Sequence, residues 1–259
     1  MRPVRAEIPE ASREIVSGFQ HFQEEEAPSW AEICRAFFRQ NRERVRIKKE
    51  AVAVRNLQRV LPAALALSKS KGFHAMTLRD LGRATGLSTG VLYSCFASKK
   101  DLRGILLEQG VAFIVRYLRE KIRGADTPVE RLRSAIRYHI YLSEIFSSWF
   151  YFLYMDARNL AKSERRRAMR NEMATERVFL EILSEGQVRG EFAPGDARLL
   201  AAAIKALLQD WYLKRWKYRR LGVTADRYAD LVVQIALAAV GAGSPLNLTL
   251  QVGKSPGHG

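Results

Sequence analysis

The spacing of apolar residues along the chain predicts helices and no strand. Trp30, Cys34 and Phe38 recur every four residues after Pro28, which places them on one face of a short helix. After residue 100 the pattern is helical throughout, with segments expected over about 139–158, 163–186, 196–218 and 225–241. We therefore expect an all-α protein.

The segment TLRDLGRATGLSTGVLYSCFASKKDL, residues 77–102, predicts two very short helices set at an angle. Thr77 is placed to cap the first helix, with Asp80 reaching back to its amide. Gly86 stands where this helix must end, and Ser88 can cap the next one. A small residue, a glycine four positions later, an apolar residue next and another five beyond are the spacing of a helix-turn-helix.

Charge and cysteine content narrow the possible partners. The net charge of +16 and the isoelectric point near 10.2 favour a phosphate-rich partner, either nucleic acid or an anionic membrane surface. Neither a signal peptide nor a membrane-spanning run is recognisable, so we expect a soluble protein that binds nucleic acid and no membrane. Cys34 and Cys95 lie far apart in the chain, which argues against a disulfide or zinc site and fits a reducing cytoplasm.

At residues 77–102 the chain resembles the DNA-binding signature of the TetR/AcrR family of bacterial transcriptional regulators. A helix near residues 52–70 and the sequence KGFHAMT complete the three-helix head of that family. Gly82, where alanine is usual, and Cys95, where an aromatic residue or histidine is common, depart from its pattern. The matching residues are Thr77, Arg79, Asp80, Leu81, Gly86, Leu87, Ser88, Gly90, Leu92, Tyr93, Phe96, Ser98, Lys99 and Leu102.

The resemblance implies that the helix beginning at Ser88 enters the major groove of DNA. Thr89 and Ser94 are then candidates for contact with base edges, and Gly90 lets the backbone approach the DNA. The side chains expected to hold phosphates are Thr77, Ser88, Tyr93 and Lys99, and Arg79 is a further DNA-binding candidate.

The resemblance also implies a larger helical domain that binds a ligand and forms a homodimer. Apolar stripes in 196–218 and 225–241 favour a four-helix interface between two copies, although the same stripes suit a core within one chain. The domains expected are an extension with a basic arm (1–50), the helix-turn-helix domain (51–103), the effector-binding and dimerisation domain (104–242) and a flexible tail (243–259).

Residues 139–158 carry aromatic side chains on every face, which favours a hydrophobic pocket over a plain core. Basic residues at 165–167 and 214–220 are suited to the phosphates of an acyl-coenzyme A, although those at 214–220 equally suit the C-terminal end of a helix, where the helix dipole stabilises cations. The C-terminal part also resembles regulators of fatty-acid metabolism. The pocket residues expected are Tyr138, His139, Trp149, Phe152, Met155, Asp156 and Trp211.

Residues 39–59 carry eight basic residues against two acidic ones, directly before the head. Such an arm can reach the minor groove beside a recognition helix, and Arg42, Arg44 and Arg46 are its candidate contacts. Alternatively, the aromatic residues of 30–38 dock the extension onto the body and leave the charges solvated. Both can hold at once.

Two other functions compete with a regulator. An enzyme is disfavoured, because the four histidines form no metal or triad spacing and no phosphate-binding loop is present; no cofactor is expected. A constitutive or architectural DNA-binding protein with a filled core is the alternative. We expect a repressor that binds a palindromic operator as a dimer and is released by a hydrophobic effector.

Overall fold

The computed structural model describes the backbone of residues 18–158 and 162–243, and the side chains within them except those of 156–158 and 162–172. This part of the chain is helical and contains no strand, which confirms the all-α prediction. None of its helices is both long and apolar enough to span a membrane. The helices are α1 (Phe19–His21), continued by a π-helical turn (Phe22–Glu26), α2 (Trp30–Gln40), α3 (Glu50–Lys71), α4 (Leu78–Thr85), α5 (Thr89–Cys95), α6 (Lys99–Ile122), α7 (Pro128–Ile145), α8 (Ser147–Arg158), α9 (Lys162–Val188), α10 (Ala197–Leu213), α11 (Arg215–Arg220) and α12 (Ala225–Ala239).

The three-helix head consists of α3, α4 and α5, and its turns form as the sequence predicts. The Thr77 hydroxyl accepts the Asp80 N–H at 3.1 Å, and the Asp80 carboxylate accepts the Thr77 N–H at 2.8 Å. Gly86 ends α4 with φ at 64°, a left-handed conformation that glycine adopts without strain. A Cβ atom on Gly82 would lie 3.1 Å from the Leu87 carbonyl oxygen, so a small residue allows the turn to pack against α4.

The body is organised around α7, which α6, α9, α10 and α12 surround. Its N-terminus is fixed by a capping box between Thr127 and Glu130, with Pro128 in the first turn. Helix α6 begins in the head, where Leu102 and Leu106 are buried, and ends in the body. One continuous helix therefore joins the two domains.

The helix expected over 139–158 is instead two helices that meet at Phe146, whose backbone leaves the helical conformation. Aromatic residues on every face require neighbouring helices on several sides of the segment. The bend resolves this, because Trp149 turns toward α2 and α6 while the Phe150 ring packs on Tyr212 of α10. The prediction of a single helix was wrong here.

The helix expected over 196–218 is likewise divided, at Lys214. Helix α11 turns back toward α10, and the Tyr218 hydroxyl donates a hydrogen bond to the Asp210 carboxylate. The Lys214 ammonium pairs with the same carboxylate at 2.5 Å. Asp210 therefore holds the two helices together across the break.

The polar composition of residues 1–28, with its acidic run at 24–26, predicts a loosely ordered lead, but residues 18–28 are docked on the body. The prediction was wrong for these residues. Phe22 is fully buried, and its ring packs on Tyr138 and Tyr141. The Asp226 carboxylate accepts the Phe19 N–H at 2.9 Å. Residues 1–17 and the tail from residue 244 onward lie outside the described residues.

Glu26, the last member of an acidic run, fixes the end of this docked segment. Its carboxylate lies 2.6 Å from the Lys121 ammonium and accepts the Tyr138 hydroxyl at 2.9 Å. The Tyr117 hydroxyl donates to its backbone carbonyl at 2.9 Å. Burial raises the pKa of Tyr117 and Tyr138 above the usual range of tyrosine, so both phenols remain hydrogen-bond donors.

Helix α2 forms as its apolar spacing predicts, and it meets the body at Trp149. The Trp30 and Trp149 rings stack with centroids 5.4 Å apart, and the Phe113 ring lies parallel to Trp149 at 6.0 Å. The Trp149 indole N–H donates to the Leu106 carbonyl at 2.9 Å. This indole lies over Gly110, where a Cβ atom would approach the indole nitrogen to 2.5 Å.

We predict opposite effects for two glycine-to-alanine changes in α6. Gly110→Ala should destabilise the protein by roughly 1–3 kcal/mol, because the enclosed Trp149 ring cannot move aside. Gly104→Ala should stabilise it by about 0.5–1 kcal/mol through helix propensity, since a Cβ atom there meets nothing within 4 Å. Urea unfolding checks both values, and equal stability of the two variants would contradict the packing at Gly110.

Candidate nucleic-acid interface and ligand-binding core

Helix α5 presents one apolar face to the head and one polar face to solvent. Leu92 and Cys95 are fully buried, whereas Thr89 and Gly90 are exposed. Tyr93 is 41% exposed, and its hydroxyl has no hydrogen-bond partner among the described residues. A short, rigid helix with an exposed polar face is the geometry that a major groove accepts.

Ser88 and Thr77, which are expected to contact DNA phosphates, also cap the two short helices of the head. Ser88 caps α5 by accepting the Val91 N–H at 3.4 Å. Thr77 and the Lys71 ammonium both bind Asp80, and the hydrogen bond from Lys71 contributes most to holding the pKa of this carboxyl well below its usual range. Both threonine and serine remain exposed, so these caps leave room for a phosphate nearby.

The basic residues of α4 and α6 differ in whether they bind other groups of the protein. Arg79 and Arg83 are exposed and make no ion pair with any described residue. By contrast, the Lys99 ammonium donates to the His74 carbonyl at 2.7 Å and lies over the Phe73 ring at 5.6 Å. Lys99 therefore ties the start of α6 to the loop before α4.

Arg59 is a structural residue of the head that sequence reasoning missed. It extends from α3 and donates a hydrogen bond to the carbonyl of Thr85, the last residue of α4. A cation at a helix C-terminus interacts favourably with the helix dipole. The sequence showed only that Arg59 belongs to the basic run of residues 39–59. Its contact with the end of α4 could not be predicted, because no local pattern shows which helix end an arginine will reach.

Ser94 is engaged on both its side chain and its backbone. Its hydroxyl donates to the Val91 carbonyl at 2.6 Å. Its carbonyl accepts the backbone N–H of Arg46 at 3.0 Å, so the segment before α3 lies against the end of α5. Base contact by Ser94 stays a prediction.

Two family models match the chain and together span more than half of it. The model described as "Bacterial regulatory proteins, tetR family" matches residues 60–104, which include the helix-turn-helix. The model described as "Tetracyclin repressor-like, C-terminal domain" matches residues 125–240. The chain belongs to the TetR family. It is a DNA-binding transcriptional regulator with an N-terminal helix-turn-helix head and a larger helical C-terminal domain.

Similar proteins agree with this assignment. The transcriptional repressor KstR2 of Mycobacterium tuberculosis is 26% identical over 184 residues, which cover 70% of this chain and 90% of KstR2. A tetR-family regulatory protein from Rhodococcus RHA1 has a TM-score of 0.64 at 22% identity, covering 74% of this chain and 98% of its own. FadR from Bacillus subtilis, solved in complex with stearoyl-CoA, has a TM-score of 0.60 at 18% identity. The match covers 70% of this chain and 98% of the FadR chain. At these identities the two solved structures show the fold alone.

In the body of this TetR-family regulator, the predicted pocket residues occupy separate environments. Tyr138 lies against Phe22 and Glu26, Trp149 against Trp30 and Phe113, and Phe152 against Phe73. Met155 is partly exposed, and the Asp156 side chain lies outside the described residues. The structure does not bring these side chains together, and their role at an effector stays a prediction.

His139 lies deep in the body beside a lysine. It is fully buried between the Phe150 and Phe179 rings, and the Lys205 ammonium lies 3.3 Å from its Nε2 atom. Burial, helped by the charge of Lys205, holds the pKa of His139 well below its usual range, so the imidazole is neutral. An ammonium group only donates hydrogen bonds, so Nε2 accepts and Nδ1 carries the proton. That N–H has no partner among the described residues.

Trp211, the remaining predicted pocket residue, is fully buried between α10, α11 and α12. Its ring stacks on Tyr228 at 4.8 Å, and the Arg215 guanidinium covers it at 4.2 Å. Arg215 also forms a two-pronged ion pair with Glu144 at 2.7 and 2.8 Å. The Trp211 indole N–H is a second buried donor without a partner among the described residues.

The described residues contain no cluster of three acidic, histidine or cysteine side chains that could hold a metal ion. Cys34 and Cys95 are both buried free thiols. Burial raises the pKa of the Cys34 thiol to about 12 and that of Cys95 to about 11. Both are therefore protonated and unreactive at neutral pH.

We predict that two tyrosine-to-phenylalanine changes separate DNA binding from stability. Tyr93→Phe should weaken binding to all DNA sequences alike and leave stability unchanged, because its hydroxyl is exposed and expected at a phosphate. Tyr117→Phe should cost about 1 kcal/mol of stability, because its hydrogen bond to Glu26 is removed, while DNA affinity stays within twofold. Fluorescence-anisotropy titration and urea unfolding measure the two effects. Unchanged DNA affinity of Tyr93→Phe would remove that hydroxyl from the interface.

Proposed function

We propose that the protein is a homodimeric repressor that binds a palindromic operator and is released by a hydrophobic, anionic effector. The observation that carries the proposal is the exposed polar face of α5 on a TetR-family head, joined to the body by the continuous helix α6. A movement in the body reaches the head through that helix. Two copies of the head then read two half-sites, which a single short helix cannot do with comparable specificity.

The outward faces of α10 and α12 support the dimer. Leu199 is 69% exposed and Leu231 is 37% exposed, and Ile235 is only partly covered. Between these helices and the end of α9 lies an open, largely apolar groove of about 290 Å³. Leu199 lines this groove, and exposed apolar residues beside an apolar groove favour an interaction site.

A fatty acyl-coenzyme A is the effector class that the body favours. FadR from Bacillus subtilis, which shares the fold, is complexed with stearoyl-CoA. The unpartnered Nδ1–H of His139, enclosed by aromatic rings, offers one hydrogen bond to the carbonyl of a thioester, and a buried donor left unpaired costs roughly 1–3 kcal/mol. The apolar acyl chain of such a ligand would pack against the aromatic rings, and its thioester carbonyl would accept the hydrogen bond from His139.

Three of the five basic residues in the 214–220 cluster are already paired with carboxylates of the protein. Lys214 and Lys217 both pair with Asp210, and Arg215 pairs with Glu144. Arg219 and Arg220 are exposed and make no ion pair with a described residue. These two arginines are our candidates for the coenzyme phosphates; the side chains at 165–167 lie outside the described residues.

We predict that Ile235→Glu abolishes the dimer. A glutamate in the interface of α12 would bury an unpaired charge, which costs several kcal/mol. Light scattering should show the 29.4 kDa monomer. Val52→Glu, on a 40% exposed aliphatic residue of the head, should remain dimeric. A folded dimer of normal mass for Ile235→Glu would place the interface elsewhere.

We predict that stearoyl-CoA weakens operator binding at micromolar concentration, whereas free coenzyme A and small polar metabolites do not. Arg219→Ala with Arg220→Ala should raise the concentration of stearoyl-CoA needed for release without changing DNA binding in its absence. Anisotropy titrations on labelled operator measure both. If no hydrophobic compound releases the DNA, the constitutive DNA-binding protein is the better description.

A further inference from the structure

Residues 41–49, which connect α2 to α3, form a fixed arm across the head. The Asn41 carbonyl accepts the backbone N–H groups of Arg44 and Val45 at 2.9 and 3.1 Å, which closes a turn at the end of α2. Val45 is 1% exposed and inserts into the core. The next residue, Arg46, donates its backbone N–H to the Ser94 carbonyl at 3.0 Å. The arm is therefore attached to the helix that carries the candidate base contacts.

The charges of the arm and of the helix before it fall into two groups. Arg35 and Arg39 pair with Glu50, and Arg44 lies 3.5 Å from Glu108. The Arg42 guanidinium covers the Phe38 ring at 5.8 Å. These contacts are made within the protein and partly neutralise the segment.

Three further cations of the arm make no such contact with the rest of the described protein. Arg46, Lys48 and Lys49 are exposed and make no ion pair with any described residue. Lys48 and Lys49 also stand at the N-terminal end of α3, where the helix dipole disfavours positive charge, and Lys49 gives that helix no side-chain cap. Keeping three like charges together at this position is unfavourable unless an anion lies beside them.

We propose that Arg46, Lys48 and Lys49 form a second DNA-binding surface, which holds the phosphate backbone flanking the major-groove contact of α5. The inference rests on DNA binding by the head and adds a contact outside both family matches, which cover residues 60–104 and 125–240. Arg46 is the central residue, because its own backbone fixes it to α5. Arg44, one of the contacts expected from the sequence, is secondary because Glu108 already pairs with it.

Attachment of the arm explains why its charges are effective. A disordered arm loses conformational entropy when it is ordered on DNA, and this loss reduces the affinity gained from its cations. Here Val45, the bond to Ser94 and the stack of Trp30 on Trp149 already order the segment. The alternative, a docked extension with merely solvated charges, uses the same anchors but predicts no contribution to DNA binding.

Salt dependence of binding distinguishes these two possibilities. The probe is a duplex selected from a random-sequence library by the full-length parent protein. Arg46→Ala with Lys48→Ala should lower affinity for specific and unrelated DNA alike. It should also reduce the slope of log affinity against log salt by about two, one for each phosphate that a protomer no longer neutralises, and by up to about four in a dimer. Arg44→Ala should change the slope much less.

The matched control removes the same charge from the body, by Arg133→Ala in α7 with Arg177→Ala in α9, two exposed residues that make no ion pair with any described residue. This pair should leave the slope unchanged, so that the effect of net charge alone is separated from the effect of removing a phosphate-binding group. Trimming the duplex stepwise at both ends should weaken the parent at the length where the arm no longer reaches a phosphate, but should not weaken the arm variant at that length.

Equal slopes for the arm variant and the parent would overturn the second surface while leaving DNA binding by α5 intact. A parent protein that selects no duplex would overturn both the proposed repressor function and the arm. Urea unfolding of each variant shows that a reduced slope does not come from a misfolded head.

Discussion

The packing of the Trp149 indole over Gly110 is the constraint on which the arrangement of extension, head and body depends. Only a residue without a side chain lets the ring approach α6 closely enough to reach the Leu106 carbonyl. The same ring stacks on Trp30 of the extension. One aromatic side chain thus brings α2, α6 and α8 together, and α6 carries the connection into the head.

The docked extension gives this regulator a second connection between its domains. Phe22 and Glu26 hold the segment on α6 and α7, and Arg46 ends it at the recognition helix. Trp30 is therefore linked to α5 through α2 and the arm, in addition to the direct connection that α6 makes between body and head. The aromatic residues supply the anchor, and the cations that follow form the surface that we propose for DNA.

The site was predictable where its chemistry is local. Thr77, Gly86 and Ser88 act through residues within three or four positions, so their roles in the helix-turn-helix follow from spacing. The partners of individual cations could not be predicted from spacing. Lys99 meets the His74 carbonyl and Arg44 meets Glu108, partners that are distant in sequence and that no periodicity identifies. Free charges can be recognised only after such pairs are known.

The sequence by itself determined the all-α class, the caps at Thr77, Ser88 and Thr127, and the recognition motif, because hydrogen bonds and side-chain periodicity within a helix act over a few residues. Only the tertiary structure decided where the aromatic residues of 139–158 go. Their even distribution suggested one helix around a pocket, whereas the chain bends at Phe146 and disperses the rings among α2, the loop after α3, and α10. Tertiary packing decides such cases, because an aromatic face has many possible partners and the selected one depends on the shape of every neighbouring helix.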